Sequence, residues 1–172
     1  MNIRSIIIAT TLLVWGYSCS TEKAMAQTTA DAVITTSAIA DISADEVWAQ
    51  IRKLDNIPEL SSAVGSLTWT GPKGVGGQRK CVTPDKSGFF IEKIREFTDQ
   101  ERTYEWQVVE GVPASNVINR FRVVDLGYNR CMVVFTSRFQ FIENPNMTEE
   151  QFKAFLQSAS YEMATNAIAL AQ

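Results

Sequence analysis

Histidine is absent from all 172 residues. With it go the commonest general base, the commonest zinc ligand and every Ser-His or Cys-His nucleophile pair. Long basic runs are missing too and the formal net charge is −3, so the chain offers no electrostatic footprint for nucleic acid. Cysteine is scarce, at positions 19, 81 and 131 only. A structural zinc site needs four ligands and cannot be assembled from these, so no metal is expected. The longest apolar run, "SIIIATTLLVW", is too short to span a bilayer.

Glycine is concentrated in "GPKGVGGQRK", residues 71–80, which holds four glycines and three cations. A phosphate-binding loop needs a strand before it and a helix N-terminus after it, where backbone N–H groups hold the anion. Here the loop runs into "QRKCVTPDKSG", which meets Pro84 and Gly88, and no Gly-Lys-Ser/Thr ending is present. A hairpin or bulged turn is expected instead, with Gly74, Gly76 and Gly77 free to take φ > 0. No cofactor is called for.

What is present begins with a targeting pattern. "MNIR" supplies a positive start, the apolar run a core, and "AMA" at 24–26 a small-x-small cleavage site. Residues 1–26 therefore read as a signal peptide and 27–172 as a single exported domain, periplasmic or secreted, with no transmembrane segment in its mature form. Lipoprotein attachment at Cys19, in "WGYSCS", is the alternative. Cys81 and Cys131 then remain, and are expected as buried, unpaired thiols that behave as small hydrophobes.

After residue 30 no repeat or linker interrupts the chain. "AVITTSAIADI" reads as a strand. "SADEVWAQIRKL" opens on a capping box, Ser43 with Glu46, and places Val47, Ile51 and Leu54 on one face. A short second helix is expected over "IPELSSAV" with Pro58 in its first turn. Six strand-like runs follow, separated by turn residues at hairpin spacing, with "TDQE" and "LGYN" as tight turns. The last segment is a long helix: Thr148 and Gln151 form a second capping box, and Phe152, Leu156, Ala159, Met163 and Ala167 an apolar stripe. The stripe must be buried, and the only apolar surface left is one face of the sheet. The expected fold is α+β, a seven-stranded curved antiparallel sheet in the order β-α-α-β6-α, wrapped around the C-terminal helix with a cavity between them.

Alternation assigns the faces. Tyr104, Trp106 and Val108 share one; Val117, Asn119, Phe121 and Val123 point inward while Arg120 and Arg122 meet solvent; Cys131, Val133, Phe135, Ser137, Phe139 and Phe141 form the apolar set of the last strand. Tyr104, Trp106, Phe121 and Phe135 are core or cavity wall. Asn119 and Ser137 either hydrogen-bond in the cavity or satisfy a bulge. Residues 88–97 alternate badly, because Phe89, Ile91 and Phe97 oppose Phe90, Glu92 and Ile94, and two registers remain open. "DQER" reads as a turn of solvated charges, and Tyr161 as a helix-surface tyrosine or one at the cavity mouth.

The segments "ISADEVWAQIRKLDNIPEL", "GVGGQR", "IEKIREFTDQERTYEW", "VPASN" and "YEMATNAIALA", in this order over residues 33–171, resemble the START-like or SRPBCC superfamily of the helix-grip fold. That group includes polyketide cyclase/dehydrase and lipid-transport proteins, birch-pollen-allergen proteins and abscisic-acid receptors. The resemblance implies that the Gly-rich stretch joins strands two and three at the cavity rim. It also implies that Arg79, Cys81 and Thr83 line the pocket, and that Phe90 and Glu92 face inward, Glu92 as a polar anchor paired with Arg79 or with a ligand. Leu156 and Met163 on the last helix would complete the lining. "VPASN" and the leader are similar to periplasmic members, one associated with methanol oxidation, which adds a partner enzyme as an alternative role.

The expected function is that of a carrier for a hydrophobic small molecule, a lipid, polyketide or isoprenoid-like compound. A cyclase/dehydratase-type enzyme is the alternative, with Glu92 as base and Tyr104 as polar aid; an accessory protein for a partner enzyme is another. Glu92→Gln is expected to change affinity without unfolding the domain. No feature fixes an oligomeric state.

Overall fold

The computed structural model describes residues 31–172; the leader and Cys19 lie outside them. β1 (Ala32–Ala40) leads into α1 (Ala44–Ile51) and α2 (Ile57–Leu60). There follow β2 (Ser66–Thr70), β3 (Gln78–Val82), β4 (Phe89–Thr98), β5 (Thr103–Glu110), β6 (Ala114–Gly127) and β7 (Arg130–Phe141). α3 (Glu149–Ala169) closes the chain. All seven strands form one antiparallel sheet in the order β1-β7-β6-β5-β4-β3-β2. Strands β2 to β7 pair in sequence as hairpins, and β1 returns to the far edge beside β7.

Both capping boxes form. Ser43 accepts from the Glu46 N–H and Glu46 reaches back to the Ser43 N–H; Thr148 and Gln151 do the same at the start of α3. The second helix is shorter than "IPELSSAV" suggests: α2 is a single turn, and Ser61 is extended. The last carbonyl of that turn, at Leu60, accepts from Asn166 Nδ2 on α3 at 3.0 Å, and the Ser62 N–H donates to Glu162 Oε1 at 3.2 Å. Partners on α3 take the groups a further helical turn would have used. Ser160 Oγ adds a third tie, 2.8 Å from Thr36 Oγ1 on β1.

Four register shifts interrupt the sheet, and one of them explains the uneven alternation of β4. Ile94 faces Trp106, yet Glu96 faces Glu105, so Arg95 is an extra residue on β4. Parity reverses there, which puts Phe90, Glu92 and Ile94 on the concave face and then Phe97 as well, opposite Tyr104 and 5.5 Å from the Trp48 ring. Val109 is the extra residue on β5, and Asn116, at φ 53°, on β6 within "VPASN".

The 71–77 loop is a turn folded back on the sheet: the Gly76 N–H donates to the Ile94 carbonyl and the Ile94 N–H to Gly77. Of the three glycines expected at positive φ, Gly76 alone has it, at 85°. Gly77 is required by space, because a Cβ there would collide with the Pro72 carbonyl oxygen. "DQER" is more than a solvated turn, since Asp99 accepts from Trp48 Nε1 at 2.8 Å and from both Nε and Nη2 of Arg52, fixing α1 to the β4–β5 turn.

Gly111 combines both constraints. It sits at φ 92°, and a Cβ would lie 2.8 Å from Phe90 Cα and overlap the Phe89 carbonyl oxygen. Gly111→Ala should therefore lower stability by more than about 1 kcal/mol, read from the urea midpoint.

Candidate functional site: a cavity floored by a buried ion pair

Cross-strand rows build the concave face. Phe97, Tyr104, Phe121 and Phe135 oppose one another in one row; Ile94, Trp106, Asn119 and Ser137 form the next; Arg79, Glu92 and Val108 the one beyond. α1 packs over the β6 and β7 end of this face, and the C-terminal half of α3 runs beside it. The remaining part stays uncovered beneath the N-terminal half of α3, and there a cavity of about 640 Å³ opens.

Its polar floor is Arg79, on β3, whose side chain is 0% exposed. Arg79 Nε donates to Glu92 Oε2 at 2.5 Å, across the β3–β4 pair, and Nη1 to the Leu54 carbonyl at 2.7 Å. Leu54 sits at φ 61° just after α1, which turns its carbonyl toward the guanidinium. Trp106 Nε1 donates to the other oxygen, Glu92 Oε1, at 2.6 Å, and Cys81 Sγ lies 3.7 Å from Oε2. The guanidinium also stands 5.5 Å from the Trp106 ring and 5.8 Å from that of Tyr104, within cation–π range. Tyr104 and Trp106 stack at 4.7 Å.

Electrostatics follow from burial and pairing. Burial disfavours the Arg79 charge, but the Glu92 carboxylate, with smaller help from Tyr104 and Cys81, outweighs it and the pKa is raised. Burial, then Glu92, pushes the Cys81 thiol up, so it remains protonated and unreactive. Burial likewise raises Tyr104 despite the opposing pull of Arg79. At the rim, hydrogen bonds from Thr83 and Ser87 hold the exposed Asp85 carboxyl down at about 2. Cys81 and Cys131 are both buried and free.

The cavity takes in Arg79, Thr83, Phe90, Glu92, Trp106, Val108, Asn119, Phe135, Leu156 and Met163 of the residues picked from the sequence. Cys81, Tyr104, Phe121 and Ser137 are not on its wall; each is 0% exposed and packed behind it. They share the inward parity, but parity assigns a face and not which stretch of that face another helix covers. Tyr161 is exposed and off the wall, and no residue of the 71–77 loop reaches the rim.

Sequence reasoning missed the lining from connecting segments: Ile57 and Val64 around α2, Pro84 and Gly88 in the β3–β4 turn, Val112 and Pro113 before β6, and Met147 before α3. Apolar residues interrupting polar turns are the one signal that could have marked them. Phe89 and Phe155 bring the apolar lining out to the surface, at 37% and 47% exposure. Four buried polar atoms on the concave face lack a partner: Arg79 Nη2, Tyr104 Oη, Asn119 Oδ1 and Ser137 Oγ.

Among the described residues no helix is long and apolar enough to cross a membrane. No curated protein is significantly similar to the chain. Solved structures share its fold at low identity. XoxI from Bacillus cereus is 20% identical, with 82% of this chain and 99% of that one aligned at a TM-score of 0.67. A norcoclaurine synthase point mutant from Thalictrum flavum, bound to a transition-state analogue, is 18% identical over 81% and 96%, at 0.59. The Zhui aromatase/cyclase from a Streptomyces species is 10% identical over 83% and 92%, at 0.64. Curved sheet, long C-terminal helix and the cavity between them thus form the helix-grip architecture of the START-like superfamily. Within it, residues 31–167 match the family described as polyketide cyclase / dehydrase and lipid transport, and the chain belongs to that family.

Proposed function

We propose that this protein is a carrier that holds a hydrophobic small molecule, of lipid, polyketide or isoprenoid type, between the sheet and α3. The observation that carries the reading is the cavity itself: about 640 Å³ of space walled by Phe90, Val108, Phe135, Leu156 and Met163. That volume falls in the range that encloses most of a drug-sized ligand's surface. Apolar burial at about 25 cal/mol per Å² supplies the affinity, less the cost of ordering the complex.

The charges of the polar floor are paired with each other, which supports a carrier over an enzyme. Both Glu92 oxygens already accept hydrogen bonds. Tyr104, the other member of the cyclase constellation, is off the cavity wall. A general base works through a lone pair within reach of the substrate proton, and each Glu92 oxygen has already given at least one of its two to a protein donor. The leader pattern at 1–26 extends the proposal to an exported carrier, acting in the periplasm or outside the cell.

Native mass spectrometry of the protein purified from its producing cells tests the reading, followed by denaturing release. The expected result is one apolar compound of reproducible mass, lost on denaturation. Protein that is empty and takes up nothing from a mixture of lipids and aromatic metabolites would turn the case toward an accessory role with a partner enzyme.

A further inference from the structure

The cavity's charged residues cancel one another, and this selects among ligands. Arg79 and Glu92 lie within 2.5 Å in a site where Arg79 is fully buried and Glu92 is 5% exposed. Glu92 Oε2 is held by Arg79, with Cys81 alongside, and Oε1 by Trp106. Two of the three guanidinium nitrogens are used, Nε by Glu92 and Nη1 by the Leu54 carbonyl. The third, Nη2, has no partner, so the floor is a net-neutral unit with a spare N–H donor but no uncompensated charge. A ligand carboxylate brought to it would have to compete with Glu92 for Arg79. An ammonium would meet a carboxylate whose charge Arg79 already compensates. Either ion would give up its hydration for a partner already committed.

Beside this unit Asn119 adds an uncommitted polar group to the cavity wall. Asn119 is the cross-strand partner of Trp106, lines the cavity, is 5% exposed, and leaves Oδ1 without a hydrogen bond. A carboxamide can both donate and accept, which suits a hydroxyl or carbonyl and does nothing for the charge of an ion. We infer that the cavity selects an apolar molecule with a neutral polar end, a hydroxyl or carbonyl seated at Asn119, and discriminates against carboxylate- and ammonium-ended molecules of the same body. The inference rests on the carrier reading and narrows its ligand class.

The test uses the full chain at neutral pH and the neutral fluorophore N-phenylnaphthylamine as reporter of cavity occupancy. Dodecanol, dodecanoate and dodecylammonium, each below its micelle-forming concentration, are titrated as displacers. Dodecanol should displace the fluorophore at a concentration lower by on the order of tenfold than either ion. In Asn119→Leu that advantage should shrink, each displacement being referred to the variant's own affinity for the fluorophore. Dodecanoate or dodecylammonium displacing as well as the alcohol would overturn the inference and leave the carrier reading standing. An alcohol advantage unchanged in Asn119→Leu would overturn the assignment to Asn119. Failure of the wild-type protein to bind the fluorophore at all would remove the carrier reading and this inference together.

Discussion

Arg79→Met is expected to lower the free energy of unfolding by about 3–5 kcal/mol, the usual cost of leaving one member of a buried ion pair without its partner. That is a large part of the 5–15 kcal/mol or so that a domain possesses. The reason is local. Without Arg79, the Glu92 carboxylate keeps Trp106 Nε1 and Cys81 as donors but loses the opposing charge, and the Leu54 carbonyl loses its guanidinium donor. Glu92→Gln has the mirror-image effect, stranding the buried guanidinium. The domain is still expected to stay folded in Glu92→Gln, at a cost in stability, because Arg79 is fully enclosed and Glu92 is the carboxylate that bonds it among the described residues. The double variant Arg79→Met with Glu92→Gln removes both charges and keeps an acceptor for Trp106. It should recover about half of the loss or more, a coupling visible in a double-mutant cycle of urea midpoints. Single variants that each cost under about 1 kcal/mol, with no coupling, would show that the pair does not fix the floor.

The second large effect concerns the cavity. Ala159 on α3 lines it, so Ala159→Trp places an indole in space that a ligand would otherwise fill. Displacing about 60 Å² of ligand contact at 25 cal/mol per Å² removes roughly 1.5 kcal/mol. Affinity for the neutral fluorophore should accordingly fall by about tenfold or more. Melting temperature should hold steady or rise, since the new side chain enters a void instead of a packed region. Ala154→Trp, on an exposed position of the same helix, is the control and should leave affinity unchanged. Equal affinities in the two variants would place the fluorophore somewhere other than beneath α3.

Much of this architecture is legible in the residues, and the legible parts share a physical cause. Strand faces are set by a two-residue period, so Trp106, Val108, Asn119 and Phe135 could be placed inward from their spacing alone. Helix starts are set by side chains that bond the first free N–H groups, so Ser43 and Thr148 mark them locally. The β4 register is different. Arg95 carries no mark of a bulge, and the reversal it causes is visible only once Ile94 is paired with Trp106 and Glu96 with Glu105. α2 ends early because of Asn166 and Glu162, more than ninety residues away. The failures at the site have the same origin. Tyr104 and Phe121 have the right parity, yet neighbouring packing seals them off, whereas Pro84, Val112 and Met147 obey no period and reach the cavity because their turns fold over its mouth. The Arg79–Glu92 pair stood between these cases: its members were identifiable, but their engagement with Leu54, Cys81 and Trp106 belongs to the folded chain.

The most direct test of the central claim, that a hydrophobic ligand occupies the space between sheet and α3, is an NMR titration of nitrogen-labelled protein with N-phenylnaphthylamine, followed at the tryptophan indole N–H signals. Trp106 lies on the cavity wall and donates to Glu92, whereas Trp48 donates to Asp99 on the far side of α1. The account predicts a saturable shift of the Trp106 signal with Trp48 unmoved. Saturable binding that shifts Trp48 and leaves Trp106 in place would contradict it.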